Sequence, residues 1–189
     1  MTGEPASSAV GVLGTRFSTA YHTMRIGILS DTHNELARTR KAVVLLQDAG
    51  VEALIHCGDI IEPQIVMACA VLPFWFVFGN NDSDSVPELQ KAATQSGANC
   101  LEWSGTVELA GKRIGVTHGH MSAVVRRLLS ENPDYLLTGH SHIASDSTVG
   151  SVRRINPGAL HRADEFTVAV LNLQTDKLLF LKVLDRICD

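Results

Sequence analysis

The chain has 189 residues, is 45% hydrophobic and carries a formal charge of −4 at neutral pH. That length supports one domain with a substantial core. The mild acidity, without a block of like charge, argues against a surface built for the phosphates of long nucleic acids, and no apolar run reaches membrane-spanning length.

Met1 to Thr23 is rich in Ser, Thr, Gly and Ala and lacks a hydrophobic period. It reads as a flexible extension, residues 1–23, ahead of a domain over 24–189. Glu4 and Pro5 come early and Arg16 interrupts the only mildly apolar stretch, so a secretory leader is not expected. Met24 stands directly before the first strand and is a candidate translation start. Arg25 to Ser30 reads as a buried strand, and Glu35 to Ala49, stopped by Gly50, as an amphipathic helix. Val51 to His56 is the next strand, Pro63 to Ala70 a short helix begun by proline, and Phe74 to Phe78 a third strand.

Pro87 to Ser96 reads as a helix ended by Gly97. Thr106–Leu109 and Arg113–Val116 flank Gly111 as a hairpin. Met121 to Ser130 is a helix with Val124, Val125, Leu128 and Leu129 as its expected buried stripe, and Tyr135 to Leu137 is a strand. The tail then reads as four strands, Ser145–Val149, Val152–Ile155, Phe166–Leu173 and Leu178–Val183. Alternating strands and helices followed by a run of strands predict a layered α/β domain with mixed sheets. The four cysteines, Cys57, Cys69, Cys100 and Cys188, show no C-x-x-C pairing. They are expected to be reduced and mostly buried in a cytoplasmic protein, with Cys57 facing the core rather than a metal.

Five polar stretches each follow an apolar run: Asp31-Thr32-His33, Gly58-Asp59, Gly79-Asn80-Asn81-Asp82, Thr117-His118-Gly119-His120 and Gly139-His140-Ser141-His142. Ligands gather beyond the carboxyl ends of strands in such folds. Each stretch has a plainer explanation. Asp31 or Thr32 could cap a helix, Gly58-Asp59 and Gly79 to Asp82 could be turns, and a lone histidine is more often structural. Two x-His-x-His pairs are harder to explain that way, since imidazole is the commonest metal ligand near neutral pH. The amide oxygen of Asn80 is a good neutral ligand for a hard cation. His56 is expected in the core or behind the ligands, and His161 and Arg162 either reach the cleft or lie on an exposed loop.

The ordered set Asp-x-His, Gly-Asp, Gly-Asn-x-Asp, His-Gly-His and Gly-His-x-His resembles the calcineurin-like metallophosphoesterase superfamily. Asn156-Pro157-Gly158-Ala159 resembles an element of its small, single-domain bacterial and archaeal phosphodiesterases. The resemblance implies a four-layer α/β/β/α sandwich with two mixed sheets. It also implies two divalent metal ions, Mn²⁺ foremost, with Zn²⁺, Fe or Ni²⁺ as alternatives. One would take Asp31, His33, Asp59 and His142; the other would take Asp59, Asn80, His118 and His140. A hydroxide bridging cations ~3.5–4 Å apart would attack a small phosphodiester. Relatives of this size often pair, so a homodimer or higher homo-oligomer is among the expected partners. Many relatives carry histidine where this chain has Asn81, and asparagine cannot deliver a proton. Asn81 and His120 are therefore the catalytic candidates, His120 as the substitute acid or as an orienting group, and Asp82 is expected behind the ligands. Two other functions remain: a non-catalytic protein-binding scaffold on the same fold, and a phosphomonoesterase or phosphoprotein phosphatase.

Overall fold

The computed structural model describes residues 23–184, so the expected extension, apart from Thr23, and Cys188 lie outside the described residues. The first strand, β1 (Arg25–Leu29), alternates its side chains between two apolar layers. Ile26 and Ile28 point to one layer and Leu29 to the other. β2 (Ala53–His56) pairs parallel to it with Ile28 opposite Ile55, and β3 (Phe74–Phe76) pairs parallel to β2. A strand buried on both faces requires a near-continuous apolar sequence, which these three have. α1 (Leu36–Asp48), α2 (Pro63–Cys69) and α3 (Val86–Ser96) are the crossovers. α2 starts on Pro63, and α3 ends at Gly97 with φ +73, a conformation glycine adopts without steric cost.

A short β4 (Asn99–Cys100) completes this side of the first sheet. At two residues it is too short to carry a strand pattern. β5 (Ser104–Leu109) and β6 (Lys112–Thr117) form the hairpin around Gly111. α4 (Ser122–Ser130) then leads to β7 (Tyr135–Leu137). The last four strands, β8 (Ser145–Val149), β9 (Val152–Asn156), β10 (Thr167–Asn172) and β11 (Leu178–Lys182), divide between the sheets. One sheet has the order β11-β10-β1-β2-β3-β4 and the other β5-β6-β7-β9-β8; both mix parallel and antiparallel pairs.

Three apolar layers hold this together. Leu46, Leu54, Phe76 and Leu89 lie between the first sheet and α1 to α3. Ile55, Val77, Ile114, Leu137 and Ala169 lie between the sheets. Leu128, Leu136 and Val152 lie between the second sheet and α4. The result is the expected α/β/β/α sandwich. Two local expectations change. The strand at Phe74 leaves the ladder after Phe76, as Phe78 N–H turns to the carbonyl of Glu102 at 2.6 Å. Of the stripe on α4 only Leu128 is fully buried; Val124, Val125 and Leu129 cover the sheet edge and stay half-buried.

Candidate metal centre

The parallel strands of both sheets deliver their carboxyl ends to one place. From the first sheet, β1 runs into Asp31 and His33, β2 into Asp59 and the β3 segment into Asn80. From the second, β6 runs into His118 and β7 into His140 and His142. Asp31, Asp59 and His118 are buried, His33 and His142 half-buried, and Asn80 and His140 exposed at the mouth.

The carboxylates sit at the centre. Asp31 Oδ2 accepts hydrogen bonds from Ser30 Oγ at 2.6 Å and from the backbone of His140 at 3.1 Å. Its Oδ1 has no hydrogen-bond partner among the described residues, although His142 Nε2 lies 3.1 Å away and His118 Nε2 3.9 Å away. Asp59 Oδ2 lies 3.3 Å from His33 Nε2 and 3.4 Å from His118 Nε2. Burial works to raise the Asp59 carboxyl; the adjoining imidazoles of His118 and His33 outweigh it and hold the acid well below the usual carboxylate range.

The histidines are aimed from behind. His118 Nδ1 donates to the carbonyl of Cys57 at 2.8 Å and His142 Nδ1 to that of Arg162 at 3.2 Å. In each case Nε2 is left to face the carboxylates, the arrangement by which proteins set an imidazole ligand's tautomer. His118 Nε2 also stands 3.1 Å from Asn80 Oδ1. His140 lies beside His118 with ring centroids 5.1 Å apart. Cys57 thus contributes its carbonyl, while burial pushes its thiol pKa upward, as expected of a core-facing residue.

The remaining predicted residues support this centre. Asn81 donates to Asp59 through its backbone N–H (2.9 Å) and its side-chain amide (2.7 Å), so it grips a carboxylate rather than projecting alone into the cleft. Asp82 accepts the N–H groups of Asp59, Ile60, Ile61 and Gly79, cross-tying two of the loops. His120 lies 5.4 Å from the His118 ring with a buried, unpartnered Nδ1, and burial followed by His118 and His140 lowers its pKa. His56 is fully buried, accepts Gly58 N–H at Nδ1 (3.1 Å) and lies 3.2 Å from Thr32 Oγ1.

Of the alternatives for His161 and Arg162, reaching the cleft holds: the His161 ring lies 4.7 Å from that of His33, and the Arg162 carbonyl accepts from His142. Two supports carry no site expectation in the sequence: the Ser30 hydroxyl on Asp31 and the Asn156 clamp. Asn156 holds Gly139 O and Ser141 Oγ with its amide and accepts Gly158 N–H. Ser30 adjoins a ligand in sequence; Asn156 acts through long-range contacts that no local pattern announces.

The donors fit a metal ion. Asp31, His33 and His142 form one group and Asp31, Asp59 and His118 another; within each, the ligand atoms lie within 4.8 Å of one another. Among the described residues, Asp31 Oδ1 and His33 Nε2 are buried without a hydrogen-bond partner, and a buried polar atom left unsatisfied costs ~1–3 kcal/mol. A divalent cation would satisfy both.

Residues 24–176 match the calcineurin-like phosphoesterase superfamily domain. The chain belongs to that superfamily. Among its members, phosphodiesterase MJ0936 of Methanocaldococcus jannaschii is 31% identical over 138 residues, covering 71% of this chain and 83% of that one. The structure of an archaeal phosphodiesterase superposes with a TM-score of 0.76 at 27% identity, covering 84% of this chain and 99% of the other. The Vps29 protein of Entamoeba histolytica, in a structure with Zn²⁺, shares the superfamily fold. It superposes with a TM-score of 0.56 at 16% identity over 87% of this chain and 95% of that one.

Proposed function

We propose that this chain is a metal-dependent phosphodiesterase. Asp31, His33, Asp59, Asn80, His118, His140 and His142 would hold two divalent cations, Asp59 serving both. The observation that carries the reading is the buried convergence of Asp31 Oδ1, Asp59 Oδ2 and imidazole nitrogens whose other sides are tied to carbonyls. This mixed O/N donor set suits Mn²⁺, Zn²⁺, Fe or Ni²⁺, and Mn²⁺ is the ion we propose. Bound there, such ions supply Lewis acidity toward a phosphate and toward a water that attacks it.

The protein's own groups then divide the work. Asn81 keeps both oxygens of Asp59 in register, and Asp82 keeps the Asp59 and Asn80 loops together. With its pKa lowered by burial and by His118 and His140, His120 would not rest as an imidazolium, and its role would be to hydrogen-bond a bound ester. Asn80 and His140 are exposed at the mouth, where a small diester would meet the ions. Cys57 and Cys69 are buried free thiols and Cys100 a half-buried one, which suits a reducing cytoplasm. No helix among the described residues is long and apolar enough to cross a membrane.

The test is hydrolysis of an aryl phosphodiester and the matching monoester by chelator-stripped protein resupplied with Mn²⁺. The diester should turn over only with metal and faster than the monoester. Protein that cannot be reconstituted would sink the enzyme reading, and faster monoester turnover would make it a phosphomonoesterase. Asp59→Asn should cut diester turnover by more than ~100-fold, because it removes charge from the carboxylate serving both ions.

A further inference from the structure

His118 and His142 are each held by a hydrogen bond from Nδ1 to a carbonyl. His33 has no such bond among the described residues, yet its Nε2 lies 3.3 Å from Asp59. Two rings lie against it: that of the proposed ligand His142, with centroids 5.6 Å apart, and, closer and more nearly parallel, that of His161, with centroids 4.7 Å apart and planes 34° from parallel. His161 in turn is anchored: its Nδ1 donates to Glu35 Oε1 at 3.1 Å, across 126 residues of sequence. Glu35 precedes α1, and its other oxygen lies 3.7 Å from Arg38 Nη1. Arg38 also donates to the carbonyl of Leu160 at 2.5 Å and covers the Phe166 ring at 3.6 Å. Leu160 N–H donates to the carbonyl of Asp31. The segment bearing His161 is thereby pinned both to α1 and to the loop that carries the ligands.

From this geometry we infer that Glu35 and His161 form a positioning pair that orients His33 and raises the affinity of the cation held by Asp31, His33 and His142. The inference rests on the metal-centre reading above. Its physics is specific to the ring contact. An imidazole that donates Nδ1–H to a carboxylate is more electron-rich than a free one. When the Nε2 of His33 lends its electron pair to a cation, its ring becomes electron-poor. A tilted neighbour at this distance, within the favourable range for ring pairs, stabilises that ring and blocks its rotation about χ2. The free energy of orienting His33 is met before the metal arrives.

Calorimetric titration of the metal-free full chain with Mn²⁺ tests this. His161→Ala should weaken one of the two binding events by ~10–100-fold and leave the other within about twofold. His161→Phe, which keeps a ring against His33, should recover most of the loss, and Glu35→Gln should fall between. In a His33→Ala background, His161→Ala should change nothing further, because its effect passes through that ring. Wild-type protein that binds no Mn²⁺ overturns the metal-centre reading and this inference with it. Wild-type binding that persists undiminished in His161→Ala overturns the inference alone. So does equal weakening of both events, which marks a general structural role.

Discussion

Five of the proposed ligands hold the backbone in the left-handed region: Asp31 (φ +52), His33 (+40), Asp59 (+58), His140 (+70) and His142 (+58). A non-glycine residue there costs about 1–2 kcal/mol, so the clustering marks loops bent for geometry at the expense of stability. Gly79 and Gly139 make room for those bends. A Cβ at Gly79 would meet Asp59 Oδ1 at 2.1 Å, and one at Gly139 would meet Ser30 Oγ at 2.0 Å and Asp31 Oδ2 at 2.7 Å. Gly79→Ala must therefore displace Asp59, and we expect at least a ~10-fold loss of Mn²⁺ affinity with the fold retained. Near-normal affinity by calorimetry would show that the Asp59 loop is softer than its hydrogen bonds imply. His56 supplies a pH prediction. Burial, then the neighbouring His118, pushes its pKa down to about 3 from an ordinary 6.5. Below pH 6.5 the unfolded chain binds a proton at this residue that the folded chain refuses until about pH 3. Stability from this group is thus complete above pH 6.5 and falls with pH through that window, by ~1.4 kcal/mol per unit. Urea unfolding of metal-free protein at pH 7 and pH 5 should show a drop that is ~2 kcal/mol smaller in His56→Asn than in wild type. An identical drop in both would place the protonation elsewhere.

At the scale of elements, Asn156 ends β9 and staples the β7 loop. It is 4% exposed and makes three hydrogen bonds, to Gly139 O (2.8 Å), Ser141 Oγ (3.1 Å) and from Gly158 N–H (2.9 Å). Asn156→Ala leaves Gly139 O and Gly158 N–H unsatisfied in a buried site, at ~2–3 kcal/mol. A melt of metal-free protein should drop by roughly 5–10 °C. His140 and His142, between β7 and β8, should bind metal more weakly as well; an unchanged melting temperature would make the staple redundant. The elements themselves were largely legible. β1, β2 and β3 are apolar because both faces are buried, and the ligand stretches follow because parallel strands expose their carboxyl ends at one rim. β4 was hidden because two residues, Asn99 and Cys100, are too few to carry a period. The α4 stripe overstated burial because a helix on a sheet margin covers with half-exposed side chains. Within the site, the ligand types could be read locally, since each stands next to a strand end. Their supports could not. Cys57 O, Asn156 and Glu35 act on residues 61, 17 and 126 positions away, and backbone carbonyls leave no trace in a sequence.

Across the whole molecule, the proposed ligands come from both sheets: Asp31, His33, Asp59 and Asn80 from one, His118, His140 and His142 from the other. Apart from the apolar layer of Ile55, Val77, Ile114 and Leu137, the sheets meet at this rim mainly through that polar cluster. Without a cation the rim opposes itself. Burial would lower the pKa of His118, but the neighbouring Asp59 and Asp31 carboxylates outweigh it and raise it, so this rim favours positive charge. A cation held by ligands from both sheets would supply that charge and tie one sheet to the other. A ligand that binds only the folded state stabilises it by RT ln(1 + [L]/Kd), about 2.7 kcal/mol at a hundredfold excess over Kd. For a domain of this size that is roughly 5–10 °C in melting temperature. Chelator should therefore lower the melting temperature of the full chain, and Mn²⁺ should restore it in a concentration-dependent way. Asp59→Asn should melt at the same temperature with and without Mn²⁺. A wild-type melting temperature indifferent to chelator and to added Mn²⁺, in protein shown by calorimetry to bind the metal, would mean that the ions sit on one sheet only.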